Sequence, residues 1–356
     1  MPPPARANWL LTELERAYFD ARRGKLKKPP IIEFSQDAAR NLQNLATEIH
    51  RRTYQPDLTT AFIIHDPVHR EIFAADFRDR VVHHFLFNQI NQWWDAHFLP
   101  DNYSCRKKKG TLYGIRRLDH HIRTVSQNYR RPTFILKLDI SGYFMSLPRQ
   151  KLYQRAIWGL DRQFPERGYQ YQICKFLWKV IIFHDPVKNV KINCPKRLWR
   201  GLPKNKSLFN QPPGVGIAIG NLTSQLLSNI YLDQLDRFVV FDLRFRHYGR
   251  YVDDFFLVSN DKPELIAAEQ KIAKFLKTEL QLALHPHKHY LQECHRGVTF
   301  LGATIYPHRI YPGPRLKRNL LHALSDPDCS METRASYTGL VKHFKHDKLL
   351  NNIKRP

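Results

Sequence analysis

Two stretches of this 356-residue chain place acids where apolar strands end. FILKLDISGYF, residues 134–144, begins as an apolar strand and presents Asp139 at its end. GRYVDDFFLVSN, residues 249–260, reads as apolar strand, two adjacent acids, apolar strand: a hairpin with Asp253 and Asp254 at its tip. Acids embedded in hydrophobic strands are costly unless a cation or hydrogen bonds compensate. Mg²⁺ suits the task, because it prefers carboxylate oxygens together with substrate phosphates. Two such ions, roughly 3.5–4 Å apart, can activate a hydroxyl and stabilise a departing pyrophosphate. A single strand-end Asp reads equally as a turn or helix cap. Tyr-X-Asp-Asp between apolar strands, about 110 residues after Leu-Asp-x₄-Phe, is a far narrower pattern.

The elements that must carry these acids can be read around them. From about Asn8 to Tyr54 apolar residues recur at three- and four-residue spacing, which predicts helices. LTTAFIIHDPVHREIFAADF predicts a strand pair turning at Asp66-Pro67, and RDRVVHHFLFNQINQWWDAHF a return to helix. No internal repeat and no low-complexity linker interrupts the chain.

Its 57 Lys and Arg exceed 32 Asp and Glu, for a formal charge of +25, interleaved with 16 Tyr, 22 Phe and 6 Trp. So large an excess opposes compaction unless an anionic partner neutralises it, and the aromatics suit base stacking. Residues 106–131 hold nine basic residues against Asp119 alone. DPVKNVKINCPKRLWRGLPKNK holds seven against Asp185; its Pro and Asn content predicts an ordered insertion or loop over about 185–213. The last 42 residues, from Arg315, hold nine basic and four acidic residues and read as mainly helical. Charge runs are usually solvated faces; these flank the acid-bearing segments and point to a nucleic-acid groove. The five cysteines never sit two or three apart, against a zinc ribbon or disulfide scaffold and in keeping with a reducing cytoplasm. MPPPARANW lacks the apolar segment of a signal peptide, and no run approaches a membrane span, so a soluble intracellular protein is expected.

YVDD, LDISGYF and VTFLGATI, in that family's order along the chain, resemble the palm motifs of reverse transcriptases across roughly residues 60 to 310. The resemblance implies an α+β, right-hand fingers–palm–thumb polymerase with an antiparallel palm sheet and a small helical thumb. It implies N-terminal helices and fingers over 1–131, a palm over 132–311 and a short basic thumb over 312–356. It makes Asp139 and Asp253 metal ligands with the Ile140 carbonyl, and Asp254 the third carboxylate, around two Mg²⁺ that Mn²⁺ can replace. Phe144, five residues after Asp139, takes the place of the steric gate that favours dNTPs over rNTPs; core packing is the alternative. Arg106 and Lys108 in YSCRKKKGT resemble the fingers segment that grips the triphosphate. Lys288 in LALHPHKHYL matches a lysine that protonates pyrophosphate, or is a solvated surface residue. FLGATIY, with Phe300, Leu301 and Gly302, looks like the primer-grip hairpin.

The segment after the insertion narrows the resemblance. Relatives from group II introns and retrons have Gln-Gly and then Ser-Pro where this chain has Ile219-Gly220-Asn221-Leu222-Thr223-Ser224-Gln225. Together with KSLFNQPPG and RLWRGLPKNK, this resembles reverse transcriptases of diversity-generating retroelements, although Ala218 replaces a proline common in that group. A glutamine beside the incoming nucleotide could hydrogen-bond its sugar, whereas Ile219 offers contact only, which would loosen selection against mispairs. Alternatively, Ile219 simply fills a hydrophobic position. The resemblance implies bacterial or phage origin, a cytoplasmic enzyme, a template RNA and its RNA/cDNA duplex, dNTPs, errors at adenines, and a small basic oligomeric accessory protein. The rivals are a retron-type or defence-associated reverse transcriptase, a nuclease using the same acids, and an RNA-binding protein on a polymerase scaffold.

Overall fold

The computed structural model describes residues 4–65 and 68–344. Its backbone falls into two compact units: Met1–Leu99 with Ile140–Leu235 and Lys274–Leu284, and Pro100–Asp139 with Asp236–Ala273 and His285–Pro356. The described strands, in chain order, are β1 (Thr59–Ile64), β2 (Arg70–Ala74), β3 (Phe134–Asp139), β4 (Val190–Ile192), β5 (Tyr248–Tyr251), β6 (Asp254–Ser259), β7 (Tyr290–Glu293), β8 (Val298–Phe300), β9 (Ala303–Tyr306) and β10 (Arg309–Pro312).

The first unit is mainly helical. The N-terminal region forms helices Pro4–Arg22, Pro29–Gln36 and Ala38–Arg51, as the apolar spacing predicts. In the third, Leu42, Leu45 and Ile49 make one buried stripe, so burial of that face stabilises the helix. The long helix Phe77–His97 starts where the Asp76 carboxylate accepts a hydrogen bond from the Arg78 amide, satisfying a donor that the first turn leaves free. β1 and β2 form the expected antiparallel pair, while the expected turn at Asp66-Pro67 lies outside the described residues. A third strand was not anticipated: β4, within the basic insertion, adds to β1 in parallel. Around it the insertion is a series of short 3₁₀ turns, Lys196–Trp199, Lys204–Lys206 and Leu208–Asn210.

The second unit is built on a four-stranded antiparallel sheet ordered β5-β6-β3-β7. β6 is central, and Phe255, Phe256, Leu257 and Val258 are all buried. This explains why its sequence reads as a continuous apolar run rather than an alternation. Beside this sheet, β8, β9 and β10 form a second antiparallel sheet. Phe256, Phe300, Ile135 and Val298 belong to one core cluster with Ile115, Leu118 and Ile122 of helix Thr111–Val125. The C-terminal part is helical as expected, Pro314–Ser325 and Met331–Val341. All five cysteines carry free thiols. Among the described residues, no helix is long and apolar enough to cross a membrane.

Candidate active site

The second unit brings Asp139, Asp253, Asp254 and Lys288 together. β3 and β6 pair so that Asp139, the last residue of one, lies directly opposite Asp254, the first residue of the other. Like charges facing across a ladder are destabilising, so this register needs a cation. Two lysines supply charge: Lys288 Nζ is 2.7 Å from Asp139 Oδ2, and Lys137 Nζ is 3.9 Å from Asp254 Oδ1. The Asp139 backbone is held too, its carbonyl accepting from the His285 amide at 2.7 Å. Lys288 is half exposed and paired, which distinguishes it from a merely solvated lysine.

Asp253 sits in the turn. β5 and β6 pair through Tyr251 and Asp254, leaving Val252 and Asp253 as a two-residue loop. The sequence places both acids at the tip; the structure puts Asp253 there and Asp254 on the first rung. Val252 has a φ of 59°, a left-handed conformation that strains a β-branched residue by ~1–3 kcal/mol. Desolvation pushes the Asp253 carboxyl up to about 6, Asp139 adding to the rise and Lys288 opposing it. Asp254 also rises to about 6, because desolvation outweighs the opposing Lys137 ammonium, and Asp139 again raises it.

The chemistry of this donor set fits a divalent cation: three carboxylates, two of them desolvated and two facing each other in register. Among the described residues, no three His, Cys, Asp or Glu side chains converge closely enough to hold an ion by themselves.

The primer-grip candidate belongs to the same unit. Phe300 and Ala303 close the β8–β9 pair around Leu301 and Gly302, with φ of 48° and 84°, a two-residue turn whose twist matches the flanking strands. Phe300 is buried edge-on against Phe256, ring centroids 5.2 Å apart. Lys137 Nζ donates to the Thr299 carbonyl at 2.8 Å, so one side chain links β3, this hairpin and Asp254. Sequence reading missed Lys137. Its signal was available: two residues before Asp139 on a strand, it must share that residue's face. Arg106 Nη1 donates to the Asn102 carbonyl at 3.3 Å, and Lys108 is exposed with a φ of 63°.

The remaining candidates lie in the first unit. Ile140 is buried, and its backbone bridges to Leu284. Phe144 is partly exposed; its carbonyl accepts from the Ile217 amide at 2.9 Å, joining the Phe144 turn to the segment that carries Ile219. Ile219 packs against a cluster of Ala61, Phe73, Met145 and Leu208 while staying partly exposed, and its carbonyl accepts from the Phe73 amide at 2.8 Å. Gly220 is exposed and follows directly.

The same unit holds an anchor that sequence reading did not find. Glu71 on β2 is fully buried and accepts from Trp199 Nε1 at 2.7 Å, Ser207 Oγ at 2.7 Å and the Leu208 amide at 2.6 Å. It thereby fixes the basic insertion to the sheet. The insertion in turn packs on the segment after Asp139: the Asn205 carbonyl lies 2.5 Å from where a Cβ on Gly142 would stand, and Gly142 has a φ of 53°. Only glycine satisfies both demands.

Comparisons with known proteins show the family and the fold. A family profile described as "Reverse transcriptase (RNA-dependent DNA polymerase)" matches residues 68–305. The chain belongs to the reverse transcriptase family. Its fold, an α+β arrangement with antiparallel sheets, resembles the fingers–palm–thumb fold of that family, whose polymerases generally use divalent metal ions. Among solved structures, it is similar to apo telomerase from Candida tropicalis, with a TM-score of 0.50, 12% identity, and coverage of 85% of this chain and 59% of that one. A telomerase structure from Candida albicans, in complex with a fragment of telomeric RNA, gives a TM-score of 0.46 at 12% identity, covering 85% of this chain and 57% of that one. The reverse transcriptase described here therefore spans less than two thirds of those telomerase chains. No curated protein matches the chain.

Proposed function

We propose that this reverse transcriptase copies a template RNA into cDNA with Asp139, Asp253 and Asp254 as its metal-holding carboxylates. The observation that carries the assignment is the register of β3 on β6, which sets Asp139 opposite Asp254 with Asp253 in the adjoining turn. The residues that would hold two Mg²⁺, or Mn²⁺ in their place, are these three and the Ile140 carbonyl. Bound there, such ions activate the primer 3′-hydroxyl and neutralise the pyrophosphate. Lys288 pairs with Asp139 and orients it, and its ammonium is the proton source for the leaving group. Arg106 and Lys108 hold the triphosphate. Phe144 excludes a ribose 2′-hydroxyl, and the turn at Phe300, Leu301 and Gly302 supports the primer end.

The finer assignment is to the diversity-generating retroelement group, in a bacterial or phage-encoded cytoplasmic enzyme. It is supported by IGNLTSQ, KSLFNQPPG and RLWRGLPKNK, and by the partly exposed side chain of Ile219, which presents only apolar atoms where most relatives carry glutamine. On this reading the partners are a structured template RNA, the RNA/cDNA duplex and a small basic oligomeric accessory protein, and the products carry errors at template adenines.

Primer extension on an RNA template with Mg²⁺ and dNTPs tests both levels. Wild type should extend, and Asp253→Ala should lose at least about 10³-fold while retaining RNA binding. Extension by Asp253→Ala at the wild-type rate would refute the carboxylate assignment. Sequenced products should show frequent errors opposite adenines that fall in Ile219→Gln. Faithful copying by both would move the chain to the retron-type or defence-associated enzymes.

A further inference from the structure

Val252 is an unlikely residue for its conformation, and something must hold it there. Two-residue hairpin turns that require positive φ normally employ Gly, Asn or Asp. Here a β-branched side chain occupies the position immediately before Asp253, at a φ of 59°. The conformation persists only if neighbouring groups over-determine it.

The neighbouring group is Arg250, whose residue is completely buried. Its Nη1 donates to the Val252 carbonyl at 2.9 Å, and Nε and Nη2 donate to the two carboxylate oxygens of Asp236 at 2.6 Å each. Asp236, equally buried, also accepts from the Tyr248 hydroxyl at 2.7 Å. The Arg250 backbone is fixed on both sides: its amide donates to the Asp101 carbonyl, and its carbonyl accepts from Tyr103, each at 2.9 Å. Asp236 lies in the last turn of helix Leu222–Arg237.

We propose that Arg250 and Asp236 form a positioning pair that locks the Val252 carbonyl and so sets the direction in which Asp253 points. The planar guanidinium satisfies a carboxylate with two N–H groups and has a third to spare for the carbonyl; a lysine ammonium cannot reproduce that fork. Space filling alone does not require the pair, since well-packed apolar residues commonly replace a buried ion pair without loss of stability. Arg250 is fully buried and acts through the Val252 carbonyl. The role rests on the reading of Asp253 as a metal ligand, and failure of that reading shows separately, as activity retained by Asp253→Ala.

Two variants break the lock while keeping the interior compensated: Arg250→Lys retains a charge opposite Asp236, and Arg250→Met combined with Asp236→Leu removes both. Each is assayed when it melts in a single transition, and one such variant suffices. The expected result is a fall in kcat of about 10–100-fold with KM for dNTP changed less than about threefold. Mn²⁺ binding to the protein alone, followed by electron paramagnetic resonance, should weaken about tenfold or more. Adding Val252→Gly, which adopts positive φ without strain, should recover a substantial part of both. Unchanged kcat and Mn²⁺ binding in a folded variant would overturn the proposal. So would losses that Val252→Gly leaves unrepaired, because these would mark a general role in the core. If neither variant folds, Val252→Gly in the otherwise natural chain decides: unchanged Mn²⁺ affinity and kcat support a turn already locked by Arg250, and a tenfold gain in either overturns it.

Discussion

Glu71 in the first unit and Asp236 in the second are both fully buried carboxylates, yet the molecule neutralises them differently. Asp236 faces a guanidinium in a two-point fork. Glu71 makes no ion pair among the described residues and is held by an indole N–H, a hydroxyl and a backbone amide. The ion pair has a fixed shape and serves a short strained turn, where direction matters. The neutral donors come from three points of one loop and serve to gather it, which a single acceptor with several lone pairs does well. Asp253 and Asp254 form a third case, desolvated with neither remedy complete. That is the condition of a site that needs a cation from outside.

The largest effect should come from removing one half of the fork. Asp236→Ala strands the Arg250 charge in the core and should destabilise the chain by ~3–5 kcal/mol. A stability loss under about 1 kcal/mol in chemical denaturation would mean that the Arg250–Asp236 geometry is not the one that holds the hairpin.

Gly142→Ala should come next. It combines the strain of a positive φ with a clash against the Asn205 carbonyl, and should lower stability by ~2–3 kcal/mol, or roughly 4–10 °C in Tm. An unchanged Tm would show that the insertion does not rest on the segment following Asp139.

The desolvated acids predict an opposite sign. Both carboxyls are raised from an ordinary value of 3.8 to about 6, so the folded chain binds protons that the unfolded chain has released between these limits. Their contribution is therefore present at low pH and lost as pH rises through about 6. In EDTA, Asp254→Asn should raise Tm by a few degrees at pH 7.5 and much less at pH 4. Mg²⁺ should stabilise the natural chain at pH 7.5, where the acids are ionised, and barely at pH 5. A stabilisation by Asp254→Asn that is equal at both pH values would contradict the desolvated picture.

The same contrast explains what could be read in the sequence. The acids at 139, 253 and 254 were legible because their apolar flanks are local: the cost of burial is written beside them. The helices and the β1–β2 pair were legible for the same reason, whereas the hairpin at Phe300–Gly302 was expected from the family resemblance. β4 was not, because three residues amid Pro and Asn become a strand only through β1, more than a hundred residues away in sequence. Arg250 was hidden among 57 basic residues, although a charge two positions after Tyr248 in an apolar strand hinted at a buried partner. Glu71 gave a similar hint, sharing with the buried Phe73 one face of a short strand.

Glu71→Gln should give the smallest effect and discriminates most finely between the two anchors. Glutamine keeps the length and one carbonyl acceptor, so it can retain part of the set formed by Trp199, Ser207 and Leu208, but its NH₂ faces donors instead of accepting from them. The loss should be ~1–2 kcal/mol, clearly below that of Asp236→Ala, because no charge is left behind without a partner. Its functional signature should also differ. Loosening the insertion acts on the unit that carries Phe144 and Ile219, so discrimination between nucleotides should change while Mn²⁺ affinity stays put; breaking the Arg250 fork should do the reverse. Equal stability losses, or a shift in Mn²⁺ affinity for Glu71→Gln, would show that the two anchors are not specialised and that both simply hold the fold.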